Sequence, residues 1–585
     1  MKPDLAAWRA LVERDLKGAP TERLVRQTDD GVAIQPLYTE AQGTLAAARA
    51  MAATPLRLSA PPPGDPASLA AWLTDDLARG AEGAVLPAAS LPDLAALDQV
   101  LAVVPAGTPV NLDGSGLALA HGLLARRRGT PGGLGLSPFE RYAAEGRPPG
   151  GLLHQGARLA VEAPGWRVFE VDGHRWHAAG AADAQELALA LAGGLGCLRA
   201  LDAAGAGPTA IGFTVAVGTR FFESIAKLRA LRACWFRILE ASGLAPDLRL
   251  RARPAARQWT REEPFVNLLR GTAMTFAAYV GGADEVVGVP FDLEIGASAA
   301  GRRLARNTAQ ILADEGHLGR VADPAGGSFF LETLTAELAE RAWAGLQAIE
   351  AAGGLRAALA AGTVQAEIAT VAARRAVRIA RRQQGIVGVS EYPVPGPAAT
   401  AARTPTPPPA QADAVGEPVA ALLAGAPCAA VDAALDPEEA EAALRRLVPV
   451  RDAFAFEELR ASAAGAVCLV RLGPLARHLP RVTFATHLLA AGGLAAVGEE
   501  EPSDPVAAFK ASGAQVACLC GHDDDYATHA EALARALKAA GARRVLLAGR
   551  AGAAEQALRA AGVDDFIFLG CDALAALRGV LGALA

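Results

Sequence analysis

Eight prolines between residues 392 and 418, running from Tyr-Pro-Val-Pro-Gly-Pro through Thr-Pro-Thr-Pro-Pro-Pro to Gly-Glu-Pro, cut this chain in two. Proline fixes its own φ, offers no N–H and restricts the residue before it, so such a stretch favours extended polyproline conformation and acts as a semi-rigid spacer. The 585-residue chain therefore has room for a large core before the spacer and a smaller one after it.

Composition narrows the function classes. With 52% hydrophobic and 20% charged residues the chain is globular, and 56 Lys and Arg against 62 Asp and Glu give a net charge of −6. That balance supplies no basic field for a phosphate backbone and no polybasic patch for anionic lipid, so neither nucleic acid nor membrane is expected as a partner. The longest stretches without a charged residue, 203–219 and 482–498, are 17 residues long and interrupted by glycines, which reads as core. The first residues, Met-Lys-Pro-Asp-Leu-Ala-Ala-Trp-Arg, contain no apolar signal core. Seven cysteines without a Cys-x-x-Cys spacing read as reduced thiols, and a cytoplasmic location is expected.

After the spacer and a helical stretch expected near 437–447, short apolar runs at Ala466–Val470, Ala495–Val497, Val516–Leu519, Val545–Ala548 and Phe566–Leu569 alternate with Ala/Leu/Arg-rich helical patterns. This predicts a five-stranded doubly wound α/β domain whose ligand loops begin at Arg471, Cys520 and Gly549. Before the spacer, strand runs at Ala84–Leu86, Val110–Leu112, Val168–Val171 and Ala210–Val217 alternate with long helices. That pattern suits a (β/α) barrel, with a second doubly wound sheet as the alternative. The clearest helix covers 221–241, with Phe222, Ile225, Leu228, Trp235 and Ile238 facing inward and Glu223 pairing with Lys227. A second runs from Thr333 to Ala352 with Leu334, Leu338, Leu346 and Ile349 inward. At the front, Leu5, Trp8, Val12 and Leu16 form an apolar stripe on a short helix, an arm that packs on its own barrel or lies across a partner chain.

Several segments, in order, resemble the methylmalonyl-CoA mutase family of adenosylcobalamin-dependent isomerases. They are Pro36-Leu37-Tyr38-Thr39, Ala179-Gly180-Ala181 with Gln185-Glu186-Leu187-Ala188, the helix Phe221-Phe222-Glu223-Ser224-Ile225-Ala226-Lys227-Leu228-Arg229-Ala230, Ala305-Arg306-Asn307-Thr308, and Asp323-Pro324-Ala325-Gly326-Gly327-Ser328-Phe329-Phe330-Leu331-Glu332. The resemblance implies an α/β chain in which a TIM-type (β/α)8 barrel is followed by a flavodoxin-like doubly wound domain. It assigns 1–35 to an N-terminal arm, 36–391 to the barrel, 392–436 to the Pro-rich linker and 437–585 to a degenerate cobalamin-binding-like domain.

The resemblance stops at the residues that carry the family's chemistry. Where catalytic members have Asp-x-His-x-x-Gly, with the His ligating cobalt, this chain has Leu475 and Arg477, with His478 one residue off. A leucine accepts no imidazole proton and a guanidinium offers no lone pair to a metal. The next cobalamin contacts fall on Cys518-Leu519-Cys520 and on Gly549-Arg550, where a large side chain stands in place of bare backbone. Cys518, Cys520 and His522 read as strand and loop, so no metal site is expected. In the barrel, Arg175 takes the place of the catalytic His, flanked by His174 and His177. The substrate-lining Thr-Gln-Ser-Leu-His-Thr-Asn run is replaced by residues 282–292, and the Arg-Gln-Tyr-Ala-Gly run has no counterpart in 50–80.

Loss of these positions together is similar to the small subunit of the family's heterodimeric members. The expectation is a non-catalytic chain with vestigial positions Arg175, His177, Leu475, Arg477, His478, Cys520, Gly549 and Arg550. A large catalytic partner would hold the adenosylcobalamin and convert methylmalonyl-CoA to succinyl-CoA. Two alternatives stand beside it: a divergent active acyl-CoA mutase using His478 with His174 or His177, and a CoA-ester or corrinoid binding module without turnover. If no CoA arm enters the barrel, its axis must be filled by side chains, because an empty apolar void forfeits packing.

Overall fold

The computed structural model describes residues 5–43, 45, 54–130, 132–395, 418–437, 441, 444–499 and 504–584. Eight strands, β1 (Leu56–Ser59), β2 (Gly83–Pro87), β3 (Val110–Asp113), β4 (Gly133–Leu136), β5 (Arg167–Asp172), β6 (Ile211–Val217), β7 (Leu250–Pro254) and β8 (Glu285–Val287), pair in parallel, and β8 closes on β1. Each is followed by one or more helices on the outside, so this is a (β/α)8 barrel. The outward strand residues are apolar: Phe213 meets Trp235 edge to face at 4.8 Å, and both are buried.

A second parallel sheet holds β9 (Ala466–Arg471), β10 (Ala495–Val497), β11 (Val516–Cys520), β12 (Arg544–Ala548) and β13 (Asp565–Ile567) in the order β10-β9-β11-β12-β13. This is the doubly wound order of flavodoxin-type sheets. Separate apolar clusters pack on its two faces. The sheet is fastened to the barrel by a short stretch. Val450 donates its amide to the Ala178 carbonyl, Asp452 to that of Arg257, and Glu457 accepts the Arg261 amide at 2.7 Å. Buried Arg460 pairs with Glu262 at 3.3 Å.

The segments that carry the family resemblance meet one another in space. Helix Asp183–Ala204 and helix Phe221–Ala241 are joined by Lys227, whose Nζ lies 2.8 Å from Glu186. Arg229 pairs with Asp323 and with Glu332, the latter at 3.0 Å, tying helix Phe221–Ala241 to helix Phe329–Ala351. Arg306 reaches Asp75 and Asp76, and Tyr38 rests 5.1 Å from the Phe330 ring. These motifs are joints of the scaffold.

Several expectations are corrected. Lys227 pairs with Asp183 and Glu186 of the neighbouring helix, while Glu223 turns to Arg220 at the start of its own helix and to Arg26 of the N-terminal segment, so the two side chains do not meet. Phe222 is half exposed. Residues 418–436, placed in the linker, contain helices Pro418–Leu423 and Cys428–Leu435, and Asp432 accepts the Ala118 amide of the barrel at 2.8 Å. Among the described residues of 437–447 there is no helix, and residues 396–417 lie outside the described residues. The N-terminal helix Leu5–Asp15 forms, yet none of its residues is buried. Helix Asp183–Ala204 is long and apolar enough to cross a membrane, but most of it is buried within the protein.

Candidate functional site

In a barrel of this kind chemistry belongs at the carboxyl ends of the strands. Here that end is crossed by ion pairs. Asp113 on β3 and Arg253 on β7, strands that face each other across the barrel, are 2.9 Å apart. Arg175, on the short helix Gly173–Ala178 that follows β5, adds contacts to Asp172 at 2.8 Å and to Asp113 at 3.3 Å. Burial alone would raise the Asp113 pKa, but Arg253 and Arg175 outweigh it and hold the carboxylate well below its ordinary range. Both oxygens of Asp113 are engaged, and Arg175 is spent on two carboxylates.

Deeper in the barrel a second tier fills the axis. Arg167 on β5 reaches Asn111 on β3 at 2.7 Å and Glu285 on β8 at 2.8 Å. Arg251 on β7 meets Glu285 at 2.8 Å and Glu170 at 3.6 Å, and Glu170 accepts the Thr214 hydroxyl. All six side chains are buried. On the other side of the axis Leu58, Val85 and Val287 pack together. The axis is thus occupied by side chains that bridge strands across the barrel.

The two histidines of the barrel mouth are locked. His174 donates from Nε2 to the Pro254 carbonyl at 3.2 Å, and burial, then Arg253, push its pKa down to about 4. His177 accepts at Nε2 from Arg257 at 3.0 Å, and burial followed by Arg257 holds it far below its ordinary value. His177, Asp183 and Glu186 stand close enough to hold a cation, but the ammonium of fully buried Lys227 already sits 2.7 Å from Asp183 and 2.8 Å from Glu186.

Glu140 is buried beside Asp172, and neither Glu140 Oε1 nor Asp172 Oδ1 has a hydrogen-bond partner. Burial first, and the Asp172 charge second, push its pKa up to about 8. An unfolded glutamate titrates at about 4.3, so between these values the folded state holds a proton that the unfolded state lacks, and stability falls as pH rises. Glu140→Gln removes that dependence. Relative to the wild type, it should gain about 4 kcal/mol between pH 5 and pH 8.5. Parallel denaturation profiles for the two proteins would contradict the assignment.

At the carboxyl edge of the second sheet the groove that would receive a cobalamin tail is held by charged side chains. Leu475 begins helix Leu475–Ala491 and is exposed. Arg477 pairs with Asp525 at 3.1 Å and Asp524 at 3.2 Å. His478 is 1% exposed and donates from Nδ1 to the Gly473 carbonyl at 3.0 Å, so its ring turns into the protein. Beside Gly549 the space a Cβ would take is filled by the Arg481 guanidinium, which also donates to the Ala548 carbonyl and pairs with Asp523 at 2.8 Å. Arg550 lies over the Phe568 ring at 4.2 Å. Cys518 and Cys520 are buried with their sulfurs 3.9 Å apart, while His522 caps the next helix from the surface. His478 is turned into the protein, His522 is engaged as the cap of its own helix and beside Asp524, and Arg481 occupies the cradle at Gly549. The residues present do not fit the cofactor.

Reading the sequence alone missed Asp113, Arg251, Arg253, Glu285 and Arg481. The first four occupy alternate positions on short strands such as Leu-Arg-Ala-Arg-Pro, a pattern that marks inward charge once the barrel is known and reads as a solvent-facing loop before that.

The fold and these strand ends define a (β/α)8 barrel protein with an appended doubly wound sheet, its barrel mouth and its sheet edge both closed by ion pairs. A family model described as methylmalonyl-CoA mutase matches residues 157–456, and the chain belongs to that family. It is 38% identical to a methylmalonyl-CoA mutase small subunit of Streptomyces virginiae over 98% of this chain and 96% of that protein. It is 37% identical to a probable small subunit of Mycobacterium tuberculosis over 73% of this chain and 66% of the relative. With the small subunit of Propionibacterium freudenreichii subsp. shermanii it shares 34% identity, over 77% and 69%.

Proposed function

We propose that this chain is the non-catalytic, structural subunit of a heterodimeric, cytoplasmic methylmalonyl-CoA mutase. The large partner binds adenosylcobalamin and converts methylmalonyl-CoA to succinyl-CoA. The observation that carries this reading is the pairing of Asp113 with Arg253 across the barrel mouth, above an axis filled by Arg167, Arg251, Glu170 and Glu285. A CoA arm has no path through such a barrel without breaking buried ion pairs. The positions Arg175 and His177 serve the scaffold, and Leu475, Arg477, His478, Cys520, Gly549 and Arg550 offer no ligand to cobalt. The division into arm, barrel, linker and cobalamin-like domain is part of the same reading, with the helices of 418–436 counted to the barrel they pack on.

The test is an absorbance titration with adenosylcobalamin. The isolated chain is expected to leave the cofactor spectrum unchanged, and the complex with the large subunit to bind one equivalent per heterodimer. His478→Ala in this chain should leave both the titration and the mutase rate of the complex unaltered. Tight binding by the isolated chain with the spectrum of histidine ligation, abolished by His478→Ala, would replace this reading with an active, divergent mutase.

A further inference from the structure

Outside the closed mouth, the barrel carries a band of exposed apolar side chains that none of the described residues covers. On helix Val266–Val280, Leu269 and Phe276 lie two turns apart on one face, with Phe265 just ahead of the helix and stacked 5.1 Å from Phe291. Phe276 meets Phe221 at 5.2 Å, Phe221 meets Phe222 at 5.1 Å, and Phe222 meets Phe330 at 5.4 Å. The rings thus run without a gap from helix 266–280 across the start of helix 221–241 to helix 329–351. Along this band Leu269 is 73% exposed, Phe265 68%, Phe222 50% and Phe329 49%.

We infer that this aromatic band is the face on which the large mutase subunit docks, an inference that rests on the heterodimer proposed above. Four such side chains leave roughly 450 Å² of apolar surface bare. A stable interface takes about 800 Å² from each partner, a little over half of it non-polar, so the band matches the apolar share of one standard interface. The charged groups at its edge already have partners within the chain. Arg26 and Arg220 pair with Glu223 at 3.0 and 3.2 Å, Glu262 pairs with Arg460, and Arg270 donates to the Val387 carbonyl at 2.7 Å. A partner therefore gains little from charge here and must bring an apolar face. That chemistry belongs to a permanent subunit. The relatives are named small subunits, which points to a larger unlike chain and not to a second copy.

The test uses full-length chains. The large subunit carries the tag, and this chain is wild type, Phe222→Asp/Leu269→Asp, Leu269→Lys alone, or Leu475→Asp/Leu479→Asp as a control on the exposed start of helix 475–491. Leu269 is nearly bare, so Leu269→Lys should leave circular dichroism and melting unchanged, whereas Phe222→Asp also gives up the ring contacts with Phe221 and Phe330 and should melt somewhat lower while keeping its circular dichroism. The band variants should weaken the complex about a hundredfold or more while the control binds as wild type. If wild type forms the 1:1 complex and both band variants bind with unchanged Kd, the docking face lies elsewhere and the heterodimer stands. If wild type itself fails to bind, both the heterodimer and this face fall. A wild-type chain that elutes alone as a dimer, and as a monomer when Leu269 is Lys, would make a second copy the occupant and overturn the inference.

Discussion

Lys227→Met is expected to cost the barrel about 3–5 kcal/mol, the effect of removing one partner from a buried ionic cluster. The Lys227 side chain has no exposed surface, and its ammonium meets Asp183 and Glu186 at 2.7 and 2.8 Å. Burial opposes its charge, but Asp183 and Glu186 outweigh burial and its pKa stays above the ordinary value. Burial pushes Glu186 up to about 7 even with Lys227 present. Without the lysine, the carboxyls of Asp183 and Glu186 face each other beside His177, and helix 183–204 keeps only its apolar packing against helix 221–241. The N-terminal segment suffers as well, since Asp30, which accepts the Ala184 amide at 2.8 Å, faces Asp183. At pH 5 the variant should lose less than at pH 8, because Glu186 then takes up a proton, and adding Glu186→Gln should recover part of the loss. Urea denaturation read by circular dichroism decides it. A midpoint within error of the wild type would show that the cluster is not a joint.

Most of the architecture was legible where burial is apolar. The runs at 466–470, 495–497, 516–519, 545–548 and 566–569 fall within two residues of the observed strands, because both faces of a parallel sheet are covered and the strand reads as one apolar run. Helix 221–241 was legible for its length. In the barrel, strands β2, β3, β5 and β6 were visible and β1, β4, β7 and β8 were not. Leu250–Pro254 alternates Leu and Ala outward with Arg251 and Arg253 inward, and Glu285 opens β8, so their inward residues read as solvent-facing polar ones. Gly133 to Leu136 offers only glycine and leucine, and a β-branched signal is missing. The positions proposed as vestigial rest on motifs that the sequence lacks. The ion pairs that close the mouth were hidden, because no local pattern reports that Asp113 and Arg253 meet over a separation of 140 residues.

The barrel axis gives the second large effect. Arg251→Leu should destabilise the chain by about 3–5 kcal/mol at pH 7.5, since it strips Glu285 and Glu170 of their shared cation in a buried site. Burial would raise Glu285, but Arg251 and Arg167 hold it at about 2, so its contribution is present above the ordinary carboxylate range and is lost only as pH falls through that value. Glu170 behaves differently. Burial outweighs Arg251 and raises its pKa, so this carboxyl is the first to take a proton when Arg251 is gone. The variant's deficit should therefore shrink between pH 7.5 and pH 5, and Arg251→Leu/Glu170→Gln should be more stable than Arg251→Leu alone. A pH-independent deficit would mean that lost packing, not lost charge, is the cause. The same variants separate scaffold from active site. Emptying the axis of Arg251 should lower the stability of the complex without giving this chain any affinity for a CoA ester, because Asp113 and Arg253 still bridge the mouth above it. Calorimetric binding of methylmalonyl-CoA by Arg251→Leu would instead mean that one ion pair is all that separates this barrel from a substrate channel.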